Sequence, residues 1–200
     1  MELADIIEVN ELFSDFYPYV TRQILVAYGR NEGSALELGP FAGGVSIELA
    51  RQRGGLRITM GDDFPGLTSY FEKKVKDASL EEQISVLPLN KFDLPFPEGT
   101  FDLVVFRGGL FFWEDTRKIV EEAYRVLKSG GLAMVGGGFG ADAPDDLIDS
   151  SAERSRDLNR KLGKQVLSEA DLLRILRDVG LEQNSRIDRR HGLWATIRKE

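Results

Sequence analysis

The chain has 200 residues, of which 42% are hydrophobic and 30% charged, and its net charge is −7 at pH 7. This length suits a single domain, residues 1–200, with a sizeable core. The acidic balance disfavours nucleic-acid binding, and the absence of cysteine excludes disulfides, thiolate metal sites and a cysteine nucleophile. The sequence shows neither a signal peptide nor an apolar run near the roughly 20 residues that span a bilayer. We therefore expect a soluble, cytoplasmic protein with no membrane partner.

The predicted elements alternate between helices and strands. Two short helices, broken at Pro18 and ended by Gly29, make residues 1–30 a helical segment that we expect to act as a lid. The next elements are a strand at Ser34–Leu38, a helix at Val45–Arg53, a strand at Arg57–Gly61, a helix at Phe64–Ala78 and strands at Ile84–Leu87 and Phe101–Phe106. A helix at Thr116–Leu127, a strand at Leu132–Val135, a helix at Glu169–Val179 and a hairpin of Leu181–Ile187 with Leu193–Arg198 complete the order.

This alternation predicts an α/β fold. Its sheet is doubly wound, mostly parallel and seven-stranded, with helices on both faces. The terminal hairpin has no intervening helix, which predicts an antiparallel last strand.

A polar insertion over residues 141–166 interrupts the alternation, and we expect a helix from Asp145 to Leu162. Its charges of both signs are typical of a solvated helix face. The alternative is a cap over a substrate site, in which Arg154, Arg156 and Arg160 bind an acidic group.

The turn after the first predicted strand carries the strongest functional signal. The strand ends in Glu37-Leu38, and a glycine-rich turn leads directly into a helix. Open α/β sheets place nucleotide-type ligands at such a turn. Glu37 would repel a pyrophosphate and attract a ligand that carries an ammonium and a sulfonium. S-adenosylmethionine is such a ligand.

Four motifs in order resemble the class I, Rossmann-like S-adenosylmethionine-dependent methyltransferases, especially the methyltransferase type 11 group. They are Glu37–Gly43, the acid Asp62 or Asp63 after the second strand, Asp93–Val105, and Arg125–Gly131. The chain departs from the family pattern at Phe41, which replaces a glycine, and at Asn90, which replaces an aspartate.

The resemblance implies a site for S-adenosylmethionine. Glu37 would balance the ammonium, Asp62 or Asp63 would bind the ribose hydroxyls, and Phe64 would lie against the adenine. Arg107 and Gly108 would lie under the methionine moiety. The full set of cofactor-site candidates is Glu37, Gly39, Pro40, Phe41, Gly43, Asp62, Asp63, Phe64, Asn90, Lys91, Arg107 and Gly108.

The candidates for binding a methyl acceptor lie elsewhere in the chain. They are Tyr17, Tyr19, Phe111, Phe112, Trp113 and Arg156. The aromatic run after the fourth strand could equally be core, and the two tyrosines could simply dock a helix. His191 is the only histidine, which excludes a histidine metal cluster, and its place in the predicted terminal turn favours a surface residue over a general base.

These observations predict methyl transfer from S-adenosylmethionine to a small-molecule acceptor. The sequence offers no convincing general base, which favours an acceptor that is already nucleophilic. A protein that binds S-adenosylmethionine without catalysis, or an NAD(P)-dependent oxidoreductase, is the alternative.

Overall fold

The computed structural model describes residues 1–112 and 115–200. Its centre is a seven-stranded sheet in the order β3-β2-β1-β4-β5-β7-β6. The strands are β1 Glu32–Leu38, β2 Gly55–Gly61, β3 Ile84–Val86, β4 Phe101–Arg107, β5 Leu127–Gly138, β6 Ser185–Asp188 and β7 Gly192–Arg198. Strand β7 is antiparallel to both β5 and β6, and the other neighbouring pairs are parallel. The predicted fold class is confirmed.

Helices cover both faces of the sheet. In the described part of the chain they are α1 Leu3–Leu12, α2 Tyr17–Tyr28, α3 Gly44–Gln52, α4 Leu67–Asp77, α5 Thr116–Arg125, α6 Asp145–Lys161 and α7 Glu169–Asp178. One apolar core joins the sheet to α1–α4 and α6. A second core joins its other face to α5 and α7. Across residues 1–112 and 115–200, no helix is both long enough and apolar enough to cross a membrane.

The strand order reverses beside β1, and this reversal places the site. Leu38 at the end of β1 pairs with Gly61 of β2 on one side and Phe106 of β4 on the other. The carboxyl ends of three neighbouring strands therefore meet at one edge of the sheet. In doubly wound folds, ligands bind in the crevice at this point.

Three predicted starts are wrong by three residues or more, and backbone geometry or strand pairing explains each. Helix α4 begins at Leu67 rather than Phe64, since Gly66 precedes it in a left-handed conformation. Strand β5 already begins at Leu127, because a register shift against β4 keeps Leu127 paired with Phe101. Strand β6 begins only at Ser185, because the residues after Leu181 form a turn in which Asn184 donates its N–H to the Leu181 carbonyl.

Candidate functional site

Glu37 organises the turn between β1 and α3. Its side chain is buried, and Oε2 accepts the backbone N–H groups of Gly43, at 2.9 Å, and Ser46, at 2.8 Å. These N–H groups lie at the start of α3, where a helix has no internal acceptors for them. The other oxygen, Oε1, is buried without a hydrogen-bond partner among the described residues. Burial raises the pKa of Glu37, and the hydrogen bonds from Ser46 and Gly43 oppose that rise.

Gly39 and Gly43 of this turn have backbone conformations that favour glycine over other residues. Gly39 has φ of +99° and Gly43 has φ of +105°, which side chains with a Cβ rarely adopt. A Cβ on Gly39 would also lie 2.7 Å from the Phe106 ring. The backbone of the turn is therefore held close to the end of β4.

An acidic pair with a lysine lies at the end of β2. Asp62 is buried and accepts the N–H of Phe64 at 2.9 Å, while the ammonium of Lys91 lies 2.9 Å from its Oδ2. Asp63 is half exposed, and its Oδ1 lies 3.3 Å from the same ammonium. Burial raises the pKa of Asp62, and Lys91 lowers it. Of the two acids left open by the sequence, the structure turns Asp62 inward.

Asn90 lies close to this cluster in the chain but faces solvent. Its Oδ1 accepts the N–H of Phe92 at 3.0 Å, so the side chain closes a local turn. The adjacent Lys91 is buried, with its ammonium 5.6 Å from the centroid of the Phe92 ring.

Arg107 links the end of β4 to the N-terminal helices. It is buried, and Nη2 donates to the hydroxyl of Tyr17 and the carbonyl of Phe41, both at 3.0 Å, and to Oδ1 of Asn10 at 3.4 Å. Asn10 in turn donates to the carbonyl of Pro40 at 3.2 Å. Burial raises the pKa of Tyr17 to about 12, against the opposing charge of Arg107. Helix α1 is thus hydrogen-bonded directly to the glycine turn, and α2 is linked to it through Arg107.

A cavity of about 660 Å³ opens beside this network, at the carboxyl ends of β4 and β5. This volume is typical of a small-molecule site. Phe41 forms part of its wall, since its ring lies over Gly108 and 5.2 Å from the centroid of Phe112. The replacement of a glycine by Phe41 therefore shapes the cavity.

Three of the predicted acceptor candidates line this cavity, namely Phe111, Phe112 and Arg156. Tyr17 instead lines a cavity of about 290 Å³ on the α3 and α4 side of the turn. Tyr19 packs against the core with the Arg22 guanidinium 5.6 Å from its ring centroid. Trp113 lies outside the described residues.

Several lining residues were missed by the sequence reasoning. Lys164, Phe13 and Phe139 line the cavity, and so does His191, which was predicted to be a surface residue. The run of glycines before Phe139 is a sequence signal for a close approach to the backbone, and a Cβ on Gly137 would lie 2.8 Å from the Phe111 ring. Nothing in the spacing of the insertion distinguished Lys164 from its neighbours.

Known proteins are similar to this chain over the same region. A family model described as "Methyltransferase domain" matches residues 36–135. The chain is 28% identical over 102 residues to 2-methyl-6-phytyl-1,4-hydroquinone methyltransferase 2 of Oryza sativa, covering 50% of this chain and 28% of that protein. It is 30% identical over 100 residues to demethylmenaquinone methyltransferase of Thermus thermophilus, covering 50% of this chain and 44% of that protein. The matched segments therefore span less than half the length of these relatives.

A solved structure extends the similarity to nearly the whole chain. It is a proposed S-adenosyl-L-methionine-dependent methyltransferase from Methanococcus maripaludis, with 28% identity and a TM-score of 0.83. The match covers 99% of this chain and 93% of that one. With the family model spanning half of the residues, the chain belongs to the methyltransferase domain family of class I, S-adenosylmethionine-dependent methyltransferases.

Proposed function

We propose that this protein transfers a methyl group from S-adenosylmethionine to a small-molecule acceptor held in the larger cavity. The observation that carries the proposal is the buried, unpartnered Oε1 of Glu37, at a glycine turn next to that cavity. A buried carboxylate oxygen without a donor is costly. A cationic ligand at the turn would compensate it.

The chain's donors and acceptors fit the cofactor. Glu37 offers an acceptor for the ammonium, and Asp62 offers carboxylate oxygens for the vicinal ribose hydroxyls. The backbone at Gly39 and Gly43 lets the ligand approach closely. Phe64, Asn90 and Lys91 follow the ends of β2 and β3, where the adenosine would lie. Pro40, Arg107 and Gly108 border the methionine end.

Bound S-adenosylmethionine supplies an electrophilic methyl group on a sulfonium. In the transfer, the acceptor's nucleophilic atom forms a bond to the methyl carbon while the carbon–sulfur bond breaks and its electron pair stays on sulfur. The protein has to align the acceptor with that bond and exclude water. Phe41, Phe111 and Phe112 provide an apolar wall for this purpose.

The N-terminal segment, residues 1–30, and the insertion, residues 141–166, complete the proposed site as coverings. Helix α1 contacts the glycine turn through Asn10 and contacts α6 through the ion pair of Asp5 with Lys161. Ile148 and Asn159 of α6 line the cavity. These contacts support the proposal that the two segments act as a lid and a cap.

Thermal unfolding with S-adenosylmethionine, S-adenosylhomocysteine and NAD in parallel tests the cofactor. A ligand at a hundred times its dissociation constant adds about 2.7 kcal/mol, which raises the midpoint of a chain this long by roughly 5–10 °C. We expect the shift with the two adenosyl compounds. A shift with NAD alone, or with none of the three, overturns the proposal.

Catalysis needs a second assay, because a non-catalytic binder would give the same shift. The protein is incubated with methyl-labelled S-adenosylmethionine and a pool of small metabolites. We expect S-adenosylhomocysteine to form only when an acceptor is present. Binding without such turnover would support the non-catalytic alternative.

A further inference from the structure

The larger cavity is cationic, although the chain as a whole carries a net charge of −7. Arg107, Arg156, Arg160 and Lys164 line it, and its described lining residues include no aspartate or glutamate. We refer to these four side chains as the cationic wall. A cleft lined by one sign of charge focuses the electric field and attracts ligands of the opposite charge.

The charges of the cationic wall are partly compensated within the protein. Among the described residues Arg107 donates hydrogen bonds to neutral acceptors, its buried Nε has no partner, and its charge interacts with that of Glu37. Arg160 is 79% exposed in its side chain and pairs with Asp157 at 3.2 Å. The ammonium of Lys164 lies 4.6 Å from the centroid of the Phe111 ring.

Two cations of α6 that do not line the cavity are paired with carboxylates. Lys161 lies 2.5 Å from Asp5, and Arg154 pairs with Glu8. On α7, Arg174 lies 2.8 Å from Asp171.

Lys164 and Arg107 also oppose each other electrostatically. Burial lowers the pKa of Lys164, and the positive charge of Arg107 lowers it further. An anion in the cavity would be attracted by both groups and would relieve this repulsion.

Apolar and aromatic side chains form much of the remaining lining, together with the polar Ser155, Asn159, Gln165 and His191. Phe13 and Phe139 stack with ring centroids 5.3 Å apart and planes 2° from parallel. Phe41 and Phe111 add further ring surface, and Ile148 adds an aliphatic one. A ligand that matches the lining has an apolar body and a charged end.

We propose that the methyl acceptor is an amphiphilic anion. Its apolar or aromatic body lies against the phenylalanines, and its carboxylate or phosphate group is bound by Lys164 and Arg156, with Arg160 at the mouth. This inference rests on the proposed methyl transfer, because it assigns the larger cavity to the acceptor.

Calorimetric titration with matched probes tests the proposal. The probes are 2-naphthoate, 2-naphthyl phosphate and neutral 2-naphthylmethanol, added to the full chain with and without saturating S-adenosylhomocysteine. We expect the anions to bind about tenfold or more tightly than the alcohol, the gain of one hydrogen bond to a charged group. The comparison of the two anions decides between carboxylate and phosphate.

Variants assign the binding to the cationic wall. Lys164→Gln and Arg156→Gln should each weaken anion binding by about tenfold and leave the alcohol unchanged. Arg174→Gln removes the same charge on α7, away from the cavity, and should change neither. Unchanged thermal midpoints show that the variants are folded.

Two failures are distinguishable. If the alcohol binds as tightly as the anions, the acceptor is not an anion bound in this cavity. The same conclusion follows if Lys164→Gln and Arg156→Gln leave the affinity for the anions unchanged. If S-adenosylhomocysteine does not bind, the proposed methyl transfer fails, whereas the anion preference is measured separately on the ligand-free protein.

Discussion

At the scale of single residues, the two oxygens of Glu37 differ in their surroundings. Oε2 accepts the backbone N–H groups of the turn, whereas Oε1 has no hydrogen-bond partner among the described residues and is the atom that we propose accepts the ammonium of the ligand. In Glu37→Gln the amide oxygen can still accept the two backbone N–H groups, but the charge is lost. We expect S-adenosylmethionine and S-adenosylhomocysteine, which carry the ammonium, to bind the variant more weakly, by about tenfold or more. Adenosine, which lacks the ammonium, should bind the variant as tightly as the wild type. Calorimetry with the three ligands measures this, and equal losses for all three would contradict it.

The pH dependence of stability provides a control for the same variant. Burial raises the pKa of Glu37 above its ordinary value of 4.5. The stability from this group is therefore fully present below the unfolded pKa and is lost as pH rises through the folded pKa. Because Gln does not titrate, the thermal midpoint of Glu37→Gln lacks this pH dependence. The difference in thermal midpoint, wild type minus variant, should therefore fall as pH rises over this range. A constant difference would show that Glu37 titrates normally.

Asp62 and Asp63 are distinguished by burial, and ligand binding should follow that difference. Asp62 is buried beside Lys91, whereas Asp63 is half exposed. If Asp62 accepts hydrogen bonds from the ribose hydroxyls, Asp62→Asn should weaken the binding of adenosine and of both adenosyl ligands by about tenfold. Free adenine, which has no ribose, should bind the variant as tightly as the wild type. Asp63→Asn is the matched control and should leave all four ligands unchanged. The reverse pattern in the titrations would assign the ribose to Asp63.

At the scale of elements, two of the motifs that carry the family resemblance form one structural contact. Arg125 on α5 donates to the carbonyls of Leu94 and Phe96 at 3.0 and 2.8 Å. Glu122 accepts the N–H of Leu94 at 2.8 Å and binds Arg125 in turn. These motifs therefore hold the loop before β4 against α5, and their role is in the fold.

Arg125→Gln should accordingly affect stability and not binding. We expect a loss of about 1–2 kcal/mol in the free energy of unfolding, because the loop carbonyls lose a charged donor. Affinity for S-adenosylhomocysteine should stay the same. Arg117→Gln is the control on the same helix, since Arg117 lies 3.9 Å from Asp178 and is 60% exposed; its effect should stay within about 0.5 kcal/mol. Denaturant titration of both variants measures the difference.

The same contact has a defined pH dependence. The hydrogen bond from Arg125 lowers the pKa of Glu122. Its stabilisation is present above the unfolded pKa and is lost as pH falls through the folded pKa. The stability curves of the wild type and Arg125→Gln should therefore converge in acid. Curves that stay parallel would mean that this pair does not stabilise the fold.

The order of elements could be predicted from the sequence because each buried strand is a short apolar run between turn residues. Phe101–Arg107, for instance, is buried along almost its whole length. Boundaries were less predictable where backbone geometry decides them. The residues of Leu127–Gly138 do not predict one continuous strand through Ser129 and Gly130, because the extent of this strand depends on its pairing with β4 and β7.

At the scale of the whole molecule, the site combines parts of the chain that are far apart in sequence. The turn residues follow β1 directly, so local pattern was enough to predict them. Arg107 instead meets Asn10 and Tyr17, which lie 97 and 90 residues earlier, and Lys164 reaches Phe111 from beyond α6. Such contacts depend on how helices dock on the sheet, which periodicity within one helix does not determine.

This docking predicts how the protein responds to its ligand. Helix α1 is joined to the turn by the Asn10–Pro40 hydrogen bond, and α2 is linked to it through Arg107, which bonds both Tyr17 and the Phe41 carbonyl. Helix α6 is joined to α1 by ion pairs. A ligand seated on the turn should therefore raise the free energy of local opening of these helices as well. We expect S-adenosylhomocysteine to slow amide hydrogen exchange in residues 3–28 and 145–161, with the edge strand Ser185–Asp188 as the unchanged control. Protection confined to residues 37–46 would show that the helices do not act as a lid and cap, because ligand binding and helix opening would then be independent.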